Sequence, residues 1–142
     1  MDRKFFIEMG FKPYAIMMPS DKYTQGIDLW YPSKPIKDKN QPAVYILTKR
    51  TGEILKIGET QNLHSRFYRN YRLVSNTTNN RIREHVREVE DVYVYVLTMP
   101  VKTTKIGKYT CTTSFAKGLE HCLLEEYKEK VGELPSLNSI SR

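Results

Sequence analysis

The sequence predicts an α+β domain: a small three-stranded antiparallel sheet flanked by helices, with an N-terminal extension. Three observations carry this. Two short runs rich in β-formers, AVYILT (43–48) and ILKIGE (54–59), flank a turn containing Gly52. A third run, DVYVYVLT (91–98), alternates strongly. Helical spacing of apolar residues marks segments 63–72 and 115–131. The chain has 142 residues, ordinary for one domain and long enough to bury a real core.

Residues 1–41 read as the extension. They hold Pro13, Pro19, Pro32 and Pro35, and KPIKDKNQP (34–42) reads as a connector. Their aromatics (Phe5, Phe6, Phe11, Tyr14, Trp30, Tyr31) are expected to pack on the main body or on a second subunit. The main domain spans 42–142. With Thr51-Gly52 as a two-residue turn, Leu47 pairs with Lys56 and Tyr45 with Gly58. Val44, Ile46, Leu55 and Ile57 then share the core face, and Tyr45, Leu47, Lys56 and Gly58 the other. A helix over 63–72 follows, with Asn62 as its N-cap and Leu63, Phe67 and Tyr71 as its apolar stripe. Arg66 lies beside that stripe, about 60° around from Leu63, within reach of the sheet. A short helix is expected over 80–89, a loop or small hairpin over 100–114, and a last helix over 115–131 that Gly132 and Pro135 stop.

Composition narrows the function. Lys and Arg total 23 against 16 Asp and Glu, a net charge of +7. Residues 49–87 concentrate it, with nine basic residues against three acidic ones, among Phe67, Tyr68 and Tyr71. Such a patch suits a polyanion, most often nucleic acid. The apolar stretches are too short to span a bilayer, and the start reads as no secretory signal, so a cytoplasmic protein without membrane contact is expected. Cys111 and Cys122 fit neither a metal site nor a disulfide framework.

The last helix carries an anomaly. Ala116, Leu123, Leu124, Tyr127 and Val131 form one apolar arc, and Glu120 sits near its centre. A carboxylate there is costly unless it is paired or holds a cation. It reads either as half of a buried ion pair or as a divalent-metal ligand.

These residues also carry a pattern. VYIL and KIGET in 44–60, Arg66, LEHCLLEEY (119–127) and LPSLN (134–138) together resemble the GIY-YIG nuclease family over roughly residues 43–140. The family's places are held by Tyr45 on the first strand, Ile57-Gly58 on the second, Arg66, Glu120 and Asn138. Two features depart from the pattern. Val44 precedes the first tyrosine, and Lys56 replaces the usual second tyrosine, as in some restriction-endonuclease members. The His or Tyr often found one turn after the arginine is Asn70 here, with Tyr71 next door. His64 and His85 are nearby, and a surface role is the default for each.

The resemblance implies hydrolysis of DNA phosphodiesters with one divalent ion per site, Mg2+ or Mn2+. Glu120 would hold the metal, Arg66 and Lys56 would stabilise phosphoryl charge, and Tyr45 would take the proton of the attacking water. Gly58 and Asn138 would support the site. Arg69, Arg72, Arg81, Arg83, Lys105 and Lys108 would contact double-stranded DNA, with base contacts expected from loops 73–80 and 100–114 and the extension. A sequence-specific restriction-type endonuclease, acting as a homodimer on a symmetric site, is the expectation. A phage or mobile-element nuclease is the near alternative. A non-catalytic nucleic-acid-binding module and a basic adaptor for an acidic protein are the readings from other classes.

Overall fold

The computed structural model describes residues 1–22, 26–32, 41–72 and 77–138, excepting the side chains of 77–79. The three expected strands are β3 (Ala43–Thr48), β4 (Ile54–Thr60) and β5 (Val92–Thr98). The sheet has five strands, because the N-terminal segment adds two. After helix α1 (Arg3–Met9) come β1 (Lys12–Pro19) and β2 (Ile27–Trp30). The order is β2-β1-β5-β3-β4, antiparallel throughout. The prolines that argued against strands sit where a sheet tolerates a missing donor. Pro13 lies at a register shift against β5, and Pro19 is the last residue of its strand. Trp30 departs from the packing expectation: it is 51% exposed at the end of edge strand β2.

Two corrections concern the hairpin. Its turn has three residues, not two: Lys49 N–H donates to the Glu53 carbonyl at 2.9 Å, leaving Arg50, Thr51 and Gly52 between them. Gly52 takes φ +101°, open to glycine at little cost. An odd turn would flip one strand's faces, but a bulge undoes the flip. Thr48 pairs with Ile54 while Leu47 pairs with Lys56, so Leu55 is the extra residue. Beyond it the pairing Tyr45 to Gly58 is the one the even turn predicts.

The core also lies on both faces of the sheet, not one. Val44, Ile46, Ile54 and Ile57 pack with Phe6, Phe11, Ala116, Leu123 and Tyr127 beneath α1 and helix α3 (Ala116–Val131). Tyr45, Leu47 and Leu55 pack with Ala15, Met17, Phe67, Tyr71, Ile82 and Val86 on the other side. Every residue of β3 is buried, as its unbroken apolar sequence requires between two helical layers. Leu55 belongs to the second face because the bulge turned it there. Val131, expected at the end of the apolar arc, is 46% exposed in the last turn of α3.

The second face is covered by helix α2 (Thr77–Glu88) and by a π-helix, π1 (Ser65–Tyr71). Asn62 caps the entry to π1: its Oδ1 accepts from Ser65 N–H at 3.0 Å. Residues 101–114 form a separate two-stranded ribbon, β6 (Val101–Ile106) and β7 (Tyr109–Ser114). Among the described residues no helix is long and apolar enough to cross a membrane.

Candidate active site

The site is built across β4, the edge strand of the sheet. Tyr45 on β3 points at Gly58 on β4, and the register makes the two cross-strand partners. A Cβ on residue 58 would lie 2.5 Å from the Tyr45 hydroxyl and 2.8 Å from its Cε2, closer than atoms can approach. Glycine is there to admit the tyrosine ring, not for an unusual backbone angle. Gly58→Ala is therefore expected to displace Tyr45, cost about 1–3 kcal/mol of stability, and disturb every contact that Tyr45 makes. Thermal melts of the variant beside the native chain check this.

Tyr45 Oη lies 2.7 Å from Tyr71 Oη, and Lys56 Nζ donates to Tyr71 Oη at 3.1 Å. The three form a continuous chain, with both tyrosines buried and Lys56 half-buried at its outer end. Sequence reading placed Tyr71 only in an apolar stripe and missed its hydroxyl. The π-helix explains why. Tyr71 is five residues after Arg66, and a helix with i→i+5 bonds brings that residue round where an α-helix would bring Asn70.

Arg66 stands on π1 with its guanidinium carbon 5.9 Å from the centre of the Tyr71 ring. Its Nε is buried without a hydrogen-bond partner among the described residues. A buried donor left unmade is costly, so this arrangement suits an incoming anion. Glu120 approaches from the other side of β4, half-buried on the second turn of α3. Its charge is felt at Lys56, Tyr45 and Tyr71, which puts it electrostatically in the same site. It forms no ion pair among the described residues, so the ion-pair alternative for this carboxylate is not the arrangement found.

Burial sets the protonation of these groups. It holds the Tyr45 phenol above its usual 10, although Arg66 and the Tyr71 hydrogen bond pull the other way. It holds Tyr71 well above 10. Burial lowers Lys56 from 10.5 to about 8, helped by the positive charge of Arg66 and opposed by Glu120. Burial and the neighbouring Glu59 raise the Glu120 carboxyl, while Lys56, Lys117 and a backbone hydrogen bond from Glu59 counter them.

Asn138 is buried and fixes the edge strand. Its Oδ1 accepts from Ile57 N–H at 3.0 Å and its Nδ2 donates to the Ile57 carbonyl at 2.8 Å. The side-chain amide thus acts as a stand-in for a sixth strand. It satisfies the backbone next to Gly58, and Leu137 N–H adds a bond to the Leu55 carbonyl at 2.8 Å.

The other basic residues divide. Arg69 is exposed on π1. Arg72 lies over the Tyr68 ring at 4.1 Å and donates from Nε to the Tyr68 carbonyl at 3.0 Å. Arg81 is exposed and holds the C-terminal LPSLN segment through the Ser136 carbonyl at 2.9 Å. Lys105 and Lys108 are exposed on the β6–β7 ribbon. His85 pairs with Glu90 at 2.9 Å, and the His64 ring stacks on Tyr68 with centroids 4.8 Å apart. Of the loop 73–80 expected to touch bases, residues 73–76 lie outside the described residues.

Arg83 needs correction as a DNA contact. It is 1% exposed, and its guanidinium donates to the carbonyls of Asn70 at 2.9 Å and Tyr71 at 3.4 Å, and to the Asn80 side chain. It donates into the C-terminal end of π1, where the last carbonyls of a helix lack donors from within the helix. Arg83→Met is expected to cost about 2 kcal/mol of stability, from the loss of these buried hydrogen bonds, and to leave DNA affinity unchanged. Denaturant titration and a binding assay on the same variant separate the two effects.

Solved structures with this architecture exist. A mutant of bacteriophage T4 EndoII superposes with a TM-score of 0.70 at 19% identity, covering 98% of this chain and 100% of that one. The restriction endonuclease HPY188I, solved with product DNA, superposes with a TM-score of 0.61 at 20% identity, covering 95% and 84%. The chain shares the fold of these two endonucleases. That similarity spans the N-terminal strands as well as the segment that resembles the GIY-YIG pattern. No protein-family model matches the sequence, and neither does any curated protein.

Proposed function

We propose that the chain is a divalent-metal-dependent endonuclease that hydrolyses phosphodiester bonds of double-stranded DNA. One observation carries the reading: an unpartnered Arg66 donor, an unpaired Glu120 carboxylate and the Tyr45–Tyr71–Lys56 chain meet around one edge strand. The shared fold of two endonucleases, one of them solved with product DNA, supports it.

The residues fit a magnesium site. Among the described residues no three His, Cys, Asp or Glu converge, and the carboxylates at this place are Glu120 and the neighbouring Glu59. Magnesium commonly takes one or two carboxylates and fills its shell with water and substrate phosphate. Glu59 also raises the cost of ionising Glu120, which a cation relieves. When bound, the metal supplies positive charge for the oxygen that leaves.

The chain's own residues do the rest. Arg66 donates to the phosphoryl oxygens, its buried and unpartnered Nε among the donors, and so stabilises the charge that builds there. The expectation that Tyr45 itself takes the water's proton meets two obstacles. Tyr45 is 1% exposed, and its phenol is pushed above 10, so the phenolate is below about one part in a thousand near pH 7. Lys56 is the outer end of the chain and carries a pKa of about 8, so about a tenth of it is neutral at pH 7. We assign the proton to Lys56, with the Tyr71 and Tyr45 hydroxyls aiming its amine. Gly58 and Asn138 keep that geometry. Two such sites, one per strand of a symmetric duplex, match a homodimer.

The test is a rate profile on a mixed-sequence duplex with magnesium. The charged neighbours of Lys56 are Arg66, Arg81 and Glu120; Lys56 is set to change charge near pH 8, while burial holds the Tyr45 and Tyr71 phenols above 10. The neutral amine is the active form, so the rate is expected to rise about tenfold per pH unit below about 8 and level off above it. Lys56→Met is expected to remove that limb along with most of the rate. Discrete fragments would mark a site-specific enzyme. A flat profile, or a variant that keeps the native rate, overturns the assignment of Lys56. Salt-sensitive binding with no cut under magnesium or manganese overturns the nuclease reading.

A further inference from the structure

The β6–β7 ribbon has no use in the site just described, and its chemistry is unusual for a free arm. All thirteen residues from Val101 to Thr113 are exposed. Val101, Ile106, Tyr109 and the adjoining Phe115 show between 49% and 63% of their surface. An isolated two-stranded hairpin is marginal in water, because half its hydrogen-bonding edge and both faces remain unpartnered. Something is expected to cover it.

The two strands differ in how they are guarded. β6 (VKTTKI) carries Lys102 and Lys105, and charged residues discourage pairing at an open edge. β7 (YTCTTS) has no charge, no proline and no glycine, and four of its six residues are Tyr or Thr, good strand formers. Its outer edge is a row of backbone donors and acceptors with nothing to deter another strand.

We propose that β7 is the contact through which a second copy of this chain binds, edge to edge and antiparallel about a two-fold axis. The product is a four-stranded sheet in the order β6-β7-β7-β6. Charge favours this occupant. The neutral strands meet at the axis, while Lys102 and Lys105 of each copy fall on the outer strands, far from their counterparts. The seam joins the six residues of β7 from each copy, fewer than the 20–30 a standard interface takes, which matches a pair that dissociates on dilution. Phosphate contact explains the three lysines of the ribbon but not its uncharged edge or its exposed apolar side chains. The arm is rooted at Ser114, directly before α3 and Glu120, so pairing would fix the two sites on one particle. The pairing stands on the ribbon alone and holds whether or not the chain cuts DNA.

The experiment is light scattering on the full chain, without DNA or metal, over a range of concentrations. The native chain is expected at twice the 16.7 kDa of one copy, dissociating on dilution. Thr110→Lys with Thr112→Lys charges the β7 edge, far from the core, and is expected to give the single-chain mass with an unchanged melting temperature. Should that variant fold poorly, a chain with residues 102–113 replaced by a Gly-Gly turn gives the same reading. A native chain that stays monomeric at 100 µM overturns the proposal, as does a dimer that both variants leave intact. Monomers whose ribbon variants lose DNA affinity also overturn it, and assign the ribbon to DNA instead.

Discussion

Glu120→Ala is expected to lower cleavage of duplex DNA at least a thousandfold while leaving affinity for that duplex within about threefold. The carboxylate is the proposed anchor of the metal, so removing it removes that anchor. The basic surface that attracts the duplex is untouched. The variant is also expected to fold as well as the native chain. Burial and Glu59 raise the folded-state pKa of Glu120. A carboxyl with a raised folded pKa weakens the fold at pH above its unfolded value, so its loss relieves strain rather than adding it. A drop in rate with a matching drop in melting temperature would mean instead that Glu120 is structural.

Arg66→Ala carries the second large effect. Cleavage is expected to fall about a hundred- to a thousandfold, the usual cost of removing a charge-stabilising donor. A second readout distinguishes this from misfolding. Arg66 is the second-largest influence on Lys56 after burial, and its positive charge disfavours the protonated amine. Without it the Lys56 pKa rises, so the midpoint of the residual rate profile moves to higher pH. Lysine at the same position keeps the charge but lacks the planar guanidinium, so Arg66→Lys is expected to keep the midpoint near the native one while recovering little of the rate. A loss of rate with an unmoved midpoint in the alanine variant would separate Arg66 from Lys56.

Much of this geometry was legible from single residues. A two-residue turn at Thr51-Gly52 predicts the pairing of Tyr45 with Gly58, which the structure reaches by a three-residue turn offset by a bulge, and the spacing of Leu63, Phe67 and Tyr71 marks the face of π1 that is buried. Glu120 stood out because a carboxylate in an apolar arc needs a reason. What escaped the sequence has physical causes. A bulge leaves no compositional mark, so the compensation of a three-residue turn by Leu55 could not be read. A π-helix shares its residue preferences with an α-helix, which hid the hydroxyl of Tyr71 behind its ring. Arg83 sits in a basic run and reads as a DNA contact, yet its guanidinium is turned inside onto backbone carbonyls. The prolines of the first forty residues concealed two strands because edge ends and register shifts tolerate them. One near miss was itself informative: Asn70 held the place one α-helical turn after Arg66, and the tyrosine beside it is the residue that faces the site.

The account rests on metal-dependent hydrolysis at this edge strand, and a single add-back experiment addresses it. An end-labelled duplex is incubated with excess native chain in EDTA, and magnesium is then added beyond the chelator. The prediction is no cut before the addition, cleavage after it, and no cleavage at either stage with Glu120→Ala that still retains the duplex. Equal cleavage before and after, or magnesium-restored cleavage by the Glu120 variant, would contradict it.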